Sequence, residues 1–309
     1  MDIYQGDCVA IMGALPSGIV QTCVTSPPYW GLRDYGTDDQ LGLEDSPEAY
    51  VENLVKVFRA VHRLLAEDGI LWLNLGDSYA TGTTRMRKQS KNPGVGANHP
   101  RAQNGVGRVG TPDGLKTKDL IGIPWRVAFA LQADGWYLRQ DIIWSKPNPM
   151  PESVMDRCTK SHEYIFLLSK SAKYYYDGEA IKEPVAAASV SRLGQKNLAN
   201  QRGSDRVPGK DNGNMKAVGD GETRNKRSVW TVATKPYKEA HFATYPADLI
   251  RPCILAGSAK GDTVLDPFMG SGTTAFVSKE LGRRAIGCEL NPEYIEIAKR
   301  RLAQEVLPL

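Results

Sequence analysis

The chain has 309 residues, of which 41% are hydrophobic and 24% are charged, so it is long and apolar enough to bury a sizeable core. This composition excludes collagen-like, fibrous and fully disordered proteins. The formal net charge of +4 conceals two basic segments, since residues 81–118 carry eight Lys/Arg against one acid and residues 189–235 carry ten against four. The remainder of the chain is therefore net acidic.

Short apolar runs alternate along the chain with segments of helical periodicity. The predicted strands are residues 20–25, 70–75, 138–144, 163–169, 262–265 and 284–288, and the predicted helices are residues 47–66, 121–133, 246–256, 272–281 and 292–304. Asp68-Gly69 is expected to end the first of these helices before the next strand begins. Strands that alternate with helices indicate an α/β fold with a doubly wound, mostly parallel sheet.

The cysteine pattern and the hydropathy indicate whether the protein is expected to be secreted, membrane-bound or cytoplasmic. Five cysteines are scattered without any C-x-x-C pair, which argues against a disulfide framework or a zinc site, and no metal is expected. No run of 18 apolar residues is present, and residues 1–7 show neither a basic nor an apolar signal region. We therefore expect a soluble, cytoplasmic protein without a membrane-spanning helix.

A glycine-rich turn follows the predicted strand at 262–265 and opens the next helix. Its residues are Asp266, Pro267, Phe268, Met269, Gly270, Ser271, Gly272 and Thr273. Glycines let a ligand approach the backbone closely, and a helix N-terminus attracts electron-rich groups such as a carboxylate. Glu289 ends the following strand, where an acid can accept hydrogen bonds from ribose hydroxyls. This order of elements predicts a site for a nucleoside-bearing cofactor.

A second motif, Ser26-Pro27-Pro28-Tyr29, directly follows the predicted strand at 20–25. Two consecutive prolines fix the backbone, and their carbonyls are expected to be free to accept hydrogen bonds. Ser26 adds a polar group and Tyr29 adds a flat aromatic face. Such a site can accept hydrogen bonds from an amino group while the aromatic face stacks on a planar ring. An ordinary polyproline loop is the alternative interpretation.

These two motifs, in this order, resemble the exocyclic-amino DNA methyltransferases, and specifically the β-class, in which the catalytic motif precedes the cofactor motif. The resemblance implies a Rossmann-like, S-adenosylmethionine-dependent methyltransferase fold. Residues 1–177 and 236–309 would be the catalytic and cofactor-binding halves of one domain. Residues 178–235 would be a target-recognition insert, and residues 81–118 a flexible basic loop.

The resemblance implies S-adenosyl-L-methionine as cofactor and S-adenosyl-L-homocysteine as product. The implied cofactor-binding residues are Asp7, Thr25, His241, Tyr245, Pro246, Asp266, Pro267, Phe268, Gly270, Ser271, Gly272, Thr273, Glu289 and Leu290. The implied catalytic residues are Ser26, Pro27, Pro28 and Tyr29. Ser26 and the Pro27 carbonyl would hold the protons of the target amine, and Tyr29 would stack on a base flipped out of the duplex. Residues 144–148 and His162-Glu163 resemble the segment that surrounds this base.

The resemblance leaves the target and the partners open. Ser26 favours N4 of cytosine, with N6 of adenine as the alternative; an RNA or protein-glutamine methyltransferase, or a non-catalytic nucleic-acid-binding module, are further alternatives. The residues expected to contact double-stranded DNA are Arg85, Arg87, Lys88, Arg224, Lys226 and Arg227. A homodimer and a restriction endonuclease partner stay open, and a bacterial or phage-encoded protein associated with the nucleoid through DNA is expected.

Overall fold

The computed structural model describes residues 1–32, 40–80, 111–185, 222–235 and 245–303. The chain divides into two compact units. One comprises Met1–Tyr176 and Ser228–Leu309, and the other comprises Asp177–Arg227. The first unit carries the large sheet and both sequence motifs.

The strands and helices of the described residues are numbered in chain order. The strands are β1 (Asp2–Gln5), β2 (Val20–Thr25), β3 (Leu65–Leu75), β4 (Tyr137–Ser145), β5 (His162–Ser169), β6 (Glu183–Pro184), β7 (Thr223–Arg224), β8 (Val229–Thr231), β9 (Thr263–Asp266) and β10 (Arg284–Glu289). The helices are α1 (Cys8–Ala14), α2 (Pro47–Leu64), α3 (Ile123–Ala133), α4 (Ala247–Gly257), α5 (Thr273–Glu280) and α6 (Pro292–Ala303), with a 3-10 turn at Glu179–Ile181.

Eight of these strands form one sheet in the order β1-β10-β9-β2-β3-β5-β4-β8. Every neighbouring pair is parallel except the two pairs that β5 makes with β3 and β4. Helix α2 connects the parallel neighbours β2 and β3, and helix α5 connects β9 and β10, since parallel neighbours need a long crossover connection. The prediction of an α/β fold with a mostly parallel sheet is therefore confirmed.

The sheet is covered on both faces because its central strands bury alternate side chains on each side. Leu71 and Leu73 of β3 belong to a core cluster that also contains residues of α2 and α3. Their neighbours Ile70 and Trp72 point the other way, where α4 passes so closely that a Cβ on Gly257 would lie 2.9 Å from Trp72 Nε1. This arrangement of helices on both faces is the doubly wound architecture.

The boundary between α2 and β3 differs from the sequence prediction. The helix ends at Leu64 and the strand starts at once with Leu65, so that Asp68-Gly69 lies inside the strand. Val20 of β2 pairs with Leu65 while Thr22 pairs with Ile70, and the surplus residues of β3 form a bulge. The turn-forming pair Asp68-Gly69 therefore supports an irregularity within a strand rather than the end of a helix.

The second unit contains the two-stranded pairing of β6 with β7. β8 instead pairs with β4 in the large sheet, so residues 228–235, which we assigned to the recognition insert, belong to the first unit. Within the described parts of the chain, no helix is both long enough and apolar enough to cross a membrane.

Candidate active site

Both sequence motifs lie at one edge of the sheet. β1, β10, β9, β2 and β3 run parallel, so their carboxyl ends open on the same side. Asp7 follows β1, Ser26 follows β2, Asp266 ends β9 and Glu289 ends β10. Ligands of doubly wound folds bind at this edge because the loops after the strands converge there. The topology therefore brings together residues from both ends of the chain.

The carboxylate of Asp266 is the buried centre of this edge. Its Oδ1 accepts hydrogen bonds from Thr25 Oγ1 at 2.6 Å and from the backbone N–H of Phe268 at 3.1 Å. Its Oδ2 accepts from Thr274 Oγ1 at 2.6 Å and from the Tyr245 hydroxyl at 2.9 Å. Burial raises the pKa of Asp266, and these four donors lower it again in part. Asp266 thus fixes the end of β2, through Thr25, to the turn that follows β9.

The turn after Asp266 has a backbone that only glycine adopts easily. Gly270 and Gly272 have φ values of +52° and +78°, and a Cβ on Gly272 would lie 2.9 Å from the Cβ of Ala298 in α6. Gly272 begins α5 without a side-chain cap. The buried Ser271 Oγ has no hydrogen-bond partner among the described residues. An open helix N-terminus and an unsatisfied hydroxyl fit a polar ligand at this turn.

Glu289 lies beside this turn and stabilises its backbone. One carboxylate oxygen accepts from the N–H of Gly270 at 2.8 Å, and the other accepts from the N–H of Asn291 at 2.8 Å. Burial raises the pKa of Glu289. Each oxygen keeps a second lone pair, so the carboxylate can still accept from two hydroxyls of a ligand. Gly6 donates to the Glu289 carbonyl at 3.0 Å and so brings Asp7, the N-cap of α1, to the same place.

The Ser26-Pro27-Pro28-Tyr29 motif differs in one respect from the sequence prediction. The Pro28 carbonyl, which we expected to be free, accepts a hydrogen bond from the Tyr50 hydroxyl of α2 at 2.8 Å. No donor among the described residues reaches the Pro27 carbonyl. The sequence could not indicate the Tyr50 contact because Tyr50 lies on the apolar face of α2 and has the pattern of a core residue. Of the two proline carbonyls, only that of Pro27 therefore stays open to a ligand among the described residues, and the acceptor role of Ser26 and Pro27 stays a prediction.

The Tyr29 side chain is held at both its ring and its hydroxyl. The hydroxyl donates to Glu163 Oε2 at 2.7 Å and lies 3.4 Å from Ser26 Oγ. Its ring packs on the backbone of Gly76, where a Cβ would lie 2.6 Å from Tyr29 Cε2. Burial, followed by the charge of Glu163, raises the pKa of Tyr29 well above its usual value, so the phenol keeps its proton at neutral pH. Stacking of Tyr29 on a target base stays a prediction.

Replacing Gly76 by alanine is expected to displace the Tyr29 ring. The added methyl group overlaps the ring, and such overpacking costs about 1–3 kcal/mol of unfolding free energy. Urea unfolding followed by tryptophan fluorescence measures this loss. Gly13→Ala in α1 is the matched control, because no atom lies within 4 Å of the Cβ position there. Equal unfolding free energies for the two variants would show that the ring is not confined by Gly76.

The predicted DNA-contacting residues are only partly described. Arg85, Arg87 and Lys88, as well as the predicted cofactor residue His241, lie outside the described residues. In the second unit, Glu183 accepts hydrogen bonds from Arg224 Nε at 3.0 Å and from Arg227 Nε at 2.6 Å. Within the described ranges, no group of three or more His, Cys, Asp or Glu residues is placed to hold a metal ion.

Comparison with known proteins agrees with this arrangement. Residues 20–300 match the family model of the N6/N4 methyltransferases, described as DNA methylase. The chain belongs to this DNA methylase family. The family to which the sequence motifs pointed is therefore confirmed.

Two curated relatives match nearly the whole length of this methylase. It is 50% identical to the Type II methyltransferase M.Cfr9I of Citrobacter freundii, over 98% of this chain and 88% of the relative. It is 49% identical to the Type II methyltransferase M.SmaI of Serratia marcescens, over 97% and 90% of the two chains. In structure it is similar to the cytosine-N4-specific PvuII DNA methyltransferase, with a TM-score of 0.64, 17% identity, and coverage of 99% and 87%.

Proposed function

We propose that this methylase transfers a methyl group from S-adenosyl-L-methionine to N4 of a cytosine flipped out of double-stranded DNA, with S-adenosyl-L-homocysteine as the second product. The observation that carries the proposal is the position of Ser26 and the Pro27 carbonyl directly after β2, whose last residue, Thr25, is hydrogen-bonded to Asp266 at the start of the cofactor-type turn after β9. Two relatives named Type II methyltransferases are 50% and 49% identical to this chain over nearly its whole length. They support DNA as the substrate class.

The cofactor supplies an electrophilic methyl group on a sulfonium. Glu289 would accept hydrogen bonds from its ribose hydroxyls, and the turn at 268–272 with Ser271 would hold its methionine end. Asp266 would act indirectly, because its two oxygens already accept hydrogen bonds from four protein donors. These bonds hold the turn in place next to Thr25, the residue before Ser26. Asp7 and Tyr245 border the same site.

An aromatic amine is a weak nucleophile because its lone pair is delocalised into the ring. Ser26 Oγ and the Pro27 carbonyl would accept hydrogen bonds from its two N–H groups, which favours a tetrahedral nitrogen and directs its lone pair towards the methyl group. The nitrogen–carbon bond forms as the carbon–sulfur bond breaks, the electron pair of that bond goes to sulfur, and the nitrogen releases one proton to solvent. The enzyme thus works by positioning and electrostatics, without a covalent intermediate.

Nucleoside mass spectrometry of duplex DNA incubated with the protein and S-adenosyl-L-methionine tests the proposal. N4-methylcytosine is expected. N6-methyladenine would leave the proposed chemistry in place but show that the target is adenine. The preference for cytosine, which rests on Ser26, would then be wrong. If neither modified nucleoside forms on varied duplexes while the cofactor still binds, the substrate is RNA or protein. Loss of cofactor binding with retained DNA affinity would identify a non-catalytic binding module.

The affinity for S-adenosyl-L-methionine is expected to depend on the ionisation of Glu289. Its folded pKa is raised, so the carboxylate takes up a proton on acidification at a higher pH than an ordinary glutamate does. The protonated group is a poorer acceptor for ribose hydroxyls, and affinity is lost as the pH falls through that raised pKa. Isothermal titration calorimetry across pH checks this. Glu289→Gln should bind more weakly and show a flatter pH profile; an equally steep profile would assign the dependence to another group.

The second basic segment is proposed to contact DNA phosphates. Neutralising Arg224, Lys226 and Arg227 together to glutamine should weaken duplex binding and flatten its salt dependence, since each lost phosphate contact reduces the slope of log K against log salt by about 0.9. The slope is expected to change by less than the loss of three phosphate contacts would give, because Glu183 competes with phosphate for Arg224 and Arg227. Fluorescence anisotropy across a salt series measures the slope, and an unchanged slope would remove this segment from the interface.

A further inference from the structure

Glu163, the second residue of β5, accepts hydrogen bonds from three donors next to the Ser26–Tyr29 motif. Its carboxylate accepts from the Tyr29 hydroxyl at 2.7 Å, from Asn74 Nδ2 at 3.3 Å and from the Lys146 ammonium. The side chains of Lys146 and Glu163 are only 18% and 15% exposed. The Lys146 ammonium also lies 4.3 Å from the ring centre of Trp144, so the pair is held in place by packing. Glu163 is therefore a neutralised, sheltered acceptor next to the catalytic motif.

The protons of this cluster have a definite direction. Tyr29 carries one hydroxyl proton, and the carboxylate of Glu163 is its nearest and strongest acceptor. Asn74 cannot take the place of this acceptor, since its oxygen lies farther from the Tyr29 hydroxyl, at 3.2 Å, and its amide nitrogen is fixed by the Tyr164 carbonyl at 3.0 Å. With the Tyr29 proton directed to Glu163, the contact between Ser26 and Tyr29 has Ser26 as its donor.

We infer that Glu163 is a positioning residue which, through the Tyr29 hydroxyl, turns the Ser26 hydroxyl so that its lone pairs face the amino group of the target base. The inference rests on the proposed function and assigns roles to Glu163 and Tyr29 within the same site. It follows from the chain of contacts Ser26–Tyr29–Glu163–Lys146.

The donor-to-acceptor direction of these hydrogen bonds matters for the chemistry. A serine hydroxyl can donate or accept, and the two orientations have opposite effects on an amine. As a donor it would bind the nitrogen lone pair that has to attack the methyl group. As an acceptor it takes a hydrogen bond from an N–H group of the amine and leaves that lone pair free. A fixed proton direction removes the unproductive orientation before the base arrives, which is a form of preorganisation.

A double-mutant cycle on Ser26 and Tyr29 tests the inference. Tyr29→Phe removes the hydroxyl and keeps the ring on Gly76; the single-turnover rate of methyl transfer is expected to fall about tenfold. In the Ser26→Ala background the same change should alter the rate by less than about twofold, because Tyr29 acts through Ser26. Tyr137→Phe, at the far end of β4 from Lys146, controls for loss of a tyrosine hydroxyl as such.

A second double-mutant cycle, on Glu163 and Tyr29, tests whether Glu163 belongs to the same series of contacts. Glu163→Gln should lower the rate in the wild-type background and have little further effect in the Tyr29→Phe background. Cofactor affinity, measured by calorimetry, should stay within about twofold in Tyr29→Phe, whereas a merely structural role would lower it together with the rate. Should Glu163→Gln fail to fold, the Ser26–Tyr29 cycle decides alone.

The outcomes separate this inference from the proposed function. Methylation by the wild type with additive effects of Ser26→Ala and Tyr29→Phe would overturn the proton-direction role and leave the proposed function intact. Absence of any methylated base with the wild type, on varied duplex DNA, would overturn both. Non-additive effects confined to the rate, with cofactor binding preserved, are the expected result.

Discussion

Asp266→Ala is expected to lower the unfolding free energy by about 3–5 kcal/mol and to abolish measurable binding of S-adenosyl-L-methionine. The carboxylate is 2% exposed and accepts from three hydroxyls and one backbone N–H. Alanine removes the acceptor of Thr25 Oγ1 and of the Phe268 N–H in a buried environment, whereas Thr274 keeps the Val24 carbonyl and Tyr245 keeps its contact with Thr274. The end of β2 and the turn after β9 would then lose the group that joins them.

Urea unfolding and isothermal titration calorimetry measure the two effects of Asp266→Ala. Asp248→Ala is a matched control, since that carboxylate is 54% exposed and makes its ion pair with an exposed Lys235; its cost should stay below about 1 kcal/mol. Asp266→Asn keeps the size of the side chain and should cost less than alanine. If Asp266→Ala bound the cofactor as tightly as the wild type, the linking role assigned to this carboxylate would be wrong.

Ser26→Ala is expected to lower the single-turnover rate of methyl transfer by about a hundredfold while leaving cofactor affinity unchanged. The side chain contacts Tyr29 rather than Asp266 or Glu289, so its removal does not disturb the cofactor-type turn. The lost acceptor leaves only the Pro27 carbonyl to hold the amine. Rapid-quench measurement with saturating DNA and cofactor separates this chemical step from binding.

Ser17→Ala is the control for Ser26→Ala. Ser17 is exposed, precedes the opposite end of β2, and its hydroxyl accepts from Arg63 Nη1 at 2.9 Å. Its rate should equal that of the wild type. A normal rate in Ser26→Ala would remove the acceptor role of this serine, and a loss of cofactor affinity would show that the serine belongs to the other half of the site.

The long elements and the order of the two motifs could be predicted from the sequence. β2 has its predicted bounds, and α2, α3, α5 and α6 lie within two residues of theirs, because helical periodicity and capping are local signals. The short strands β1, β6, β7 and β8 were missed. Each has two to four residues, too few for an alternation to be detected, and they exist because neighbouring strands offer them hydrogen bonds.

The contacts inside the site were less predictable than its location. The sequence indicated Asp266 and Glu289 as ligand residues, but no local pattern shows that four protein donors already surround Asp266. In the same way, the occupied carbonyl of Pro28 depends on a tyrosine 22 residues away, and the Tyr29–Glu163 contact spans 134 residues. Such pairings are set by the topology of the sheet, which a residue pattern does not specify in detail.

The strand order also determines when the site can form during synthesis. Among the described strands β1 pairs only with β10, and the link from Thr25 to Asp266 spans 241 residues. A nascent chain that has emerged as far as α3 therefore exposes β1 without a partner and β2 with one free edge. Because β1 pairs with β10, the last strand among the described residues, this edge of the sheet can be complete only after nearly the whole chain has been synthesised.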